Sequence, residues 1–263
     1  MLFFMFGLLL KIAITASIVV VASLVVERSG PFIGSLIAAL PTAGGAAMII
    51  LAIEHPPAFI AQSVVGSVVS NAMVAIFALT YAALAQRRSL WVSMSCALLI
   101  WFCCAGLTRL LDWSAGSAAL LNAVVFPLAI LAGTRFRVGA VVKSRVSLSG
   151  ADLVWRAGIV TLCVIMVTAA SAAIGSFASG LFAFFPVAMG SYFVILHSRI
   201  GGPATASVAA HVQAPLIGLG LSLLAVHYLA EPLGVWWAYV IGLSVGIGWN
   251  VLLWLLRSWG LRR

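Results

Sequence analysis

The stretch 34-GSLIAALPTAGGAAMII-50 decides the reading of this chain. It is an apolar run that carries Pro41 at its centre and Gly44 and Gly45 just beyond. Proline removes a backbone N–H and pushes away the carbonyl four residues earlier, and glycine weakens a helix interior. A second stretch, 179-SGLFAFFPVAMGSYFVI-195, interrupts its own apolar run in the same way at Pro186 and Gly190.

Sliding the chain by 145 residues brings the two stretches into register. Gly30, Phe32, Pro41, Gly45 and Ile50 fall on Gly175, Phe177, Pro186, Gly190 and Ile195. Nine of the twenty-two positions from Gly30 to Leu51 are identical. The same shift places Lys11 on Arg156 and Trp91 on Trp236 without a gap. Biased composition yields chance Ala and Leu matches. It does not easily yield matched proline, glycine, tryptophan and an isolated cation in one register.

The rest of the chain sets the solvent. Of 263 residues, 64% are hydrophobic and 7% are charged, against about 25% charged in a soluble domain. A chain of this kind is solvated by lipid. The expected fold class is all-α, a polytopic membrane protein. Nine spans are expected, at 3–26, 31–53, 57–85, 90–111, 115–133, 153–174, 177–198, 203–229 and 235–257. The first run is too long for a signal-peptide core and is read as a retained span.

The net charge is +9. The cations lie in short gaps between apolar runs, with no basic helical face, so no nucleic-acid partner is expected. With nine spans, twelve of the fourteen cations fall on one side. The positive-inside rule makes that side cytoplasmic, with the N-terminus outside and the C-terminus inside an inner membrane. The basic loop from about 134 to 152 is expected to lie along anionic lipid headgroups, which makes membrane lipids the first partners. At its end, Ser149 and Asp152 have the spacing of a helix cap, and Asp152 is placed to pair with Arg156 one turn on.

Three parts follow: a four-helix repeat at 1–111, a linking helix and basic loop at 112–152, and a second four-helix repeat at 153–263. Four spans is an even number, so the linking span inverts the second copy. Inverted repeats are the architecture of many secondary transporters, whose discontinuous helices meet at the bilayer midplane. In hydrocarbon the carbonyls freed by Pro41 and Pro186, those of Ile37 and Phe182, must find donors. Thr42 and Ser191 are the nearest hydroxyls, with water or a solute as alternatives. Kinks of this kind also serve close packing alone.

The residues 8-LLLKIAITASIVVVASLVVERSGPFIGSLIAALPTAGGAAMIILA-52 resemble the GlpM-like family of small inner-membrane proteins. Lys11 after a Leu-rich start, the Val-rich remainder of the first span, and Ile33, Leu36, Ile37, Pro41 and Thr42 carry the resemblance. It covers 11–111 and, more weakly, 156–256, where Arg156 replaces the lysine and Val187 the threonine. It implies a tandem fusion of two four-span units and a loose association with envelope polysaccharide production.

Polar groups inside spans are the remaining candidates. Lys11 and Arg156 near helix starts would draw an anion if they faced a cavity. Otherwise Lys11 snorkels to the outer interface, and Arg156 sits at the inner one. Ser63, Ser67, Ser70 and Asn71 share one helical face, with Gly66 and Ser70 at small-x-x-x-small spacing. That face reads as a packing surface or a solute path. His211 and Gln213 lie in the first half of the eighth span, where His211 relays protons or is a packed, hydrogen-bonded group. His55, His197 and His227 fall at helix ends and are expected to be solvated.

The substrate site is thus expected among Pro41, Thr42, Gly44, Gly45, Pro186, Gly190, Ser191, Tyr192, Lys11, Arg156, Asn71 and His211. No carboxylate lies deep in any span. The cysteines form no CxxC pair, and no catalytic motif or metal spacing is present, so no enzyme and no cofactor are expected. Two functions remain. One is a transporter of a small, anionic or lipid-linked solute, possible as a homo-oligomer. The other is a non-transporting subunit of an envelope-synthesis complex.

Overall fold

A computed structural model describes residues 12–13, 15–17, 20–21, 42–137 and 149–260. Within them every regular element is helical. In chain order these are α1 (Thr42–Glu54), α2 (Pro57–Leu84), α3 (Leu90–Leu107) with a short 3₁₀ turn at Thr108–Leu110, and α4 (Ala115–Arg137). Then come α5 (Gly150–Ala183), α6 (Val187–Ile200), α7 (Gly202–His211), α8 (Gln213–Leu233) and α9 (Val235–Gly260). Among the described residues, six apolar helical runs are long enough to cross a membrane, as a multi-pass membrane protein requires. The expected first span and the first half of the second lie mostly outside the described residues.

Local chemistry sets the element ends. Pro57 opens α2, where its missing N–H costs nothing. Ser149 caps α5 reciprocally with Asp152: each side chain takes the other's backbone N–H. The anticipated pairing of Asp152 with Arg156 does not form. Asp152 pairs instead with Arg199 at the end of α6, because Arg156 turns into the protein and is buried.

The 51-residue run Gly150–Ile200 is too long for one crossing, which takes about 20 residues. It turns at Gly175, whose φ of 79° and ψ of 173° belong to a region open only to glycine. Ser179 Oγ lies 3.4 Å from the Ser171 carbonyl. Eight residues of straight helix would rise about 12 Å, so the chain doubles back there. The run breaks again over Phe184–Pro186 before α6 begins. The expected seventh span is therefore two helical pieces, 176–183 and α6.

The expected eighth span is one apolar run, Gly202–Leu233. Pro215 has no N–H to give the carbonyl of His211, but Val212 keeps helical backbone angles and α7 runs on into α8.

At the centre stands α2. It is packed against α3, α4, α5, α7 and α8, and 83% of its most apolar window is buried. By contrast α9 packs chiefly on α8 and leaves Trp237, Leu243 and Trp254 exposed, as lipid contact requires.

Candidate functional site

The break at Phe184–Pro186 is the feature from which the site is built. Pro186 cannot donate to the Phe182 carbonyl, which instead accepts the Phe185 N–H at 3.0 Å. The Phe185 carbonyl accepts the Val187 N–H at 2.7 Å, and the Pro186 carbonyl starts α6 by accepting the Gly190 N–H at 2.7 Å. The Phe184 carbonyl has its donor on another helix: the Ser70 hydroxyl of α2, at 3.2 Å.

This corrects the role expected of Ser191. Its hydroxyl donates to the Ala188 carbonyl at 2.9 Å, within its own helix. A serine one turn into a helix reaches its own preceding carbonyl more readily than a break behind it.

Close approach brings Ser70 within reach. A Cβ on Gly180 would lie 1.6 Å from the Ser63 carbonyl oxygen, and one on Gly66 would lie 2.0 Å from that of Phe177. The piece 176–183 thus crosses α2 backbone against backbone. Ser67 joins the crossing by donating to the Gly180 carbonyl at 3.1 Å. The small polar face of α2 is a packing surface that holds the broken helix, and Ser63, Ser67 and Ser70 are all buried.

The start of α1 meets the same break. Thr42 is its first residue. Gly44 lies beneath the Phe184 ring, where a Cβ would come within 2.6 Å of it, and half-buried Gly45 follows. On the far side Gly190 faces Phe77 and Met94, with Trp101 edge-on to Phe185 at 4.9 Å. Pro41 and Lys11 lie outside the described residues.

Arg156, which the sequence placed at the inner interface, is turned into the protein. It is 7% exposed, and its guanidinium stands 5.3 Å from the centre of the Tyr192 ring. Burial of its stem against α6 is favoured because the charged head finds an aromatic face there. Of the sequence-derived set, Thr42, Gly44, Gly45, Pro186, Gly190, Ser191, Tyr192 and Arg156 fall on or at the start of the three elements α1, α5 and α6.

Asn71 belongs to a second cluster, along α2, α4 and α8, whereas His211 is the last residue of α7. Asn122 of α4 gives both its N–H groups to carbonyls, Val68 at 2.8 Å and Ala118 at 2.9 Å. Its oxygen must therefore face Asn71, whose NH₂ donates to Asn122 Oδ1 and to the Leu216 carbonyl, both at 3.0 Å. That fixes the Asn71 amide, and its own oxygen is buried with no donor from the protein. Gln213 is likewise fixed by donating to the Ala75 carbonyl at 3.1 Å, and its oxygen also lacks a donor. Each such acceptor costs about 1–3 kcal/mol if left so. His211 Nδ1 lies 2.7 Å from the Ser207 carbonyl, a bond within its own helix.

The three other histidines are not simply solvated. His55 bonds Ser171 at 2.8 Å, His197 bonds buried Tyr81 at 2.7 Å, and His227 bonds the Ala61 carbonyl at 2.7 Å. Helix ends in this fold lie against neighbouring helices, so a terminal position in sequence does not mean water.

Ser70 as the donor to the break, and Asn122 and Gln213 as site groups, lie outside the site set expected from the sequence. The available signal was that each is a polar residue deep in an apolar run. Among the described residues no cluster of His, Cys, Asp or Glu could hold a metal, and the cysteines are free thiols. Outside the spans, partial burial pulls the Asp152 carboxyl up. The Ser149 N–H and hydroxyl and the Arg199 guanidinium outweigh it and hold the group below its ordinary value.

Compared with known protein families, curated proteins and solved structures, the chain matches none.

Proposed function

We propose that this chain is an inner-membrane transporter of inverted-repeat type, with its N-terminus outside and its C-terminus cytoplasmic. It moves a small anionic or lipid-linked solute by alternating exposure of a mid-membrane site. The observation that carries this reading is the helix broken at Phe184–Pro186, set against the start of α1 at Gly44. Discontinuous helices meeting in this way form the sites of many carriers.

A second contact supports the two-fold relation. Asn71 and Leu216 are counterparts under the 145-residue shift, and they touch through the Asn71 NH₂. Two groups related by a two-fold axis can meet only close to that axis. The pair lies where α2 packs on α8, which corresponds to α2 in the second copy. The GlpM-like resemblance fits such an origin, with one four-span unit duplicated and flipped. Arg156 and Lys11 favour an anionic cargo.

The alternative is a non-transporting subunit of an envelope polysaccharide synthesis complex. It is favoured by the Ser63–Ser67–Ser70 face, which binds helix to helix rather than lining a path.

Reconstituted vesicles separate the two. The transporter reading expects uptake of labelled organic anions or flipping of labelled anionic phospholipid. Pro186→Ala should cut that flux while the protein still inserts. Absence of flux for every solute tested, together with a partner that co-purifies stoichiometrically, sinks the transporter and supports the subunit.

A further inference from the structure

We propose that the seam between α2 and α8 binds a small monovalent cation through Asn71 Oδ1 and Gln213 Oε1. Amide orientation carries the assignment. Both NH₂ groups are committed to carbonyl or amide oxygens, so neither side chain can flip to present a donor to the seam. What remains are two oxygens that accept nothing from the protein, on residues 1% and 0% exposed.

The two groups share one neighbourhood. Ala75, which holds Gln213, is one turn along α2 from Asn71. Leu216, which holds Asn71, is one turn along α8 from Gln213. Adjacent turns lie about 5–6 Å apart. Gly220 lets the Asn71 and Asn122 amides pack directly against α8, since a Cβ there would stand 3.1 Å from the Asn71 nitrogen and 3.3 Å from Asn122 Oδ1.

Chemistry then selects the guest. Two orphaned acceptors repel an anion and offer nothing to another acceptor. Divalent ions take carboxylate ligands in most sites. Neither α2 nor the α8 segment 213–220 carries a carboxylate. Neutral oxygens of carbonyl type suit a singly charged hard cation that sheds part of its hydration shell. Asn71 is at the middle of α2, so the ion would sit near mid-membrane depth.

The site is independent of the transport reading, because binding is measured without flux. The full chain, purified in detergent, is unfolded by heat in sodium, potassium, ammonium or choline chloride at constant ionic strength. A saturable rise in unfolding temperature with sodium, potassium or ammonium, absent with choline, is the expected result. Gln213→Leu should weaken the apparent affinity by at least about tenfold. An equal rise in choline, or no rise at all, overturns the proposal and leaves a buried water as the occupant. A Gln213→Leu protein that titrates like wild type overturns it too. Should that variant fail to fold, equilibrium binding of radiolabelled sodium and rubidium to the wild-type chain decides. Displaceable binding near one ion per chain supports the site, and none refutes it.

Discussion

Helices α2 and α9 have the same mean hydropathy, 1.8 over their most apolar windows, yet 83% of one window is buried and 6% of the other. In water such helices would compete equally for a core. In lipid, hydrocarbon tails are as apolar as leucine, so hydropathy gives no reason to prefer protein over membrane. The difference lies in the small and polar residues. Along α2, Ser63, Gly66, Ser67, Ser70 and Asn71 let backbones approach and satisfy carbonyls on neighbouring helices. On its outward side α9 presents Trp236, Trp237, Leu243 and Trp254. Burial in this protein follows close approach and hydrogen bonding rather than apolarity.

The sharpest way to break this comparison is one methyl group placed on each side of it. Gly180→Ala drives a Cβ into the Ser63 carbonyl, and should destabilise by about 3 kcal/mol or more. Its counterpart Gly248→Ala on α9 meets nothing within 4 Å, and should change stability by less than about 0.5 kcal/mol. Thermal unfolding in detergent reads both. Equal losses would mean that α9 is packed as tightly as α2.

Next in size is the corner that lets α5 double back. Gly175→Ala forces a side chain into a conformation with φ of 79°, at a cost of about 1–3 kcal/mol. Open space around the site rules out a clash as the cause. Protease sensitivity of the α5–α6 segment should rise with the loss in unfolding temperature, and unchanged digestion would argue against strain at the turn.

Ser70→Ala should cost about 0.6–1.7 kcal/mol, the range for hydrogen bonds between membrane helices. Ser191→Ala should cost less, since its hydroxyl serves only its own helix. The reverse order would return the donor role at the break to Ser191.

The smallest effect is at the entry to α5. The lowered Asp152 value means that its contribution to stability is present above the ordinary carboxylate pKa, about 3.9. That contribution is lost as pH falls through the lowered folded value. Unfolding temperature should drop at acid pH more in wild type than in Asp152→Asn. Identical acid profiles would show that the contacts with Ser149 and Arg199 add nothing.

Much of this was legible in the residues. The apolar runs gave α2, α3, α4 and α9 to within a few residues, because 20 or so apolar positions in lipid admit only a helix. Pro186 marked the break, and Ser149 with Asp152 marked the start of α5, since caps and prolines act through their own backbone. The donor to the Phe184 carbonyl was not legible. Ser70 and Phe184 are 114 residues apart, and nothing local to either indicates the other.

By itself, then, the sequence determined a helical membrane protein, most of its helix boundaries and the place where one helix must fail. Those follow from solvent, chain length and the backbone chemistry of single residues. Only the tertiary structure decided which helix lies at the centre, where Arg156 points and which amide oxygens are left without donors. Those depend on the relative placement of helices distant in sequence, which equal hydropathies leave undetermined.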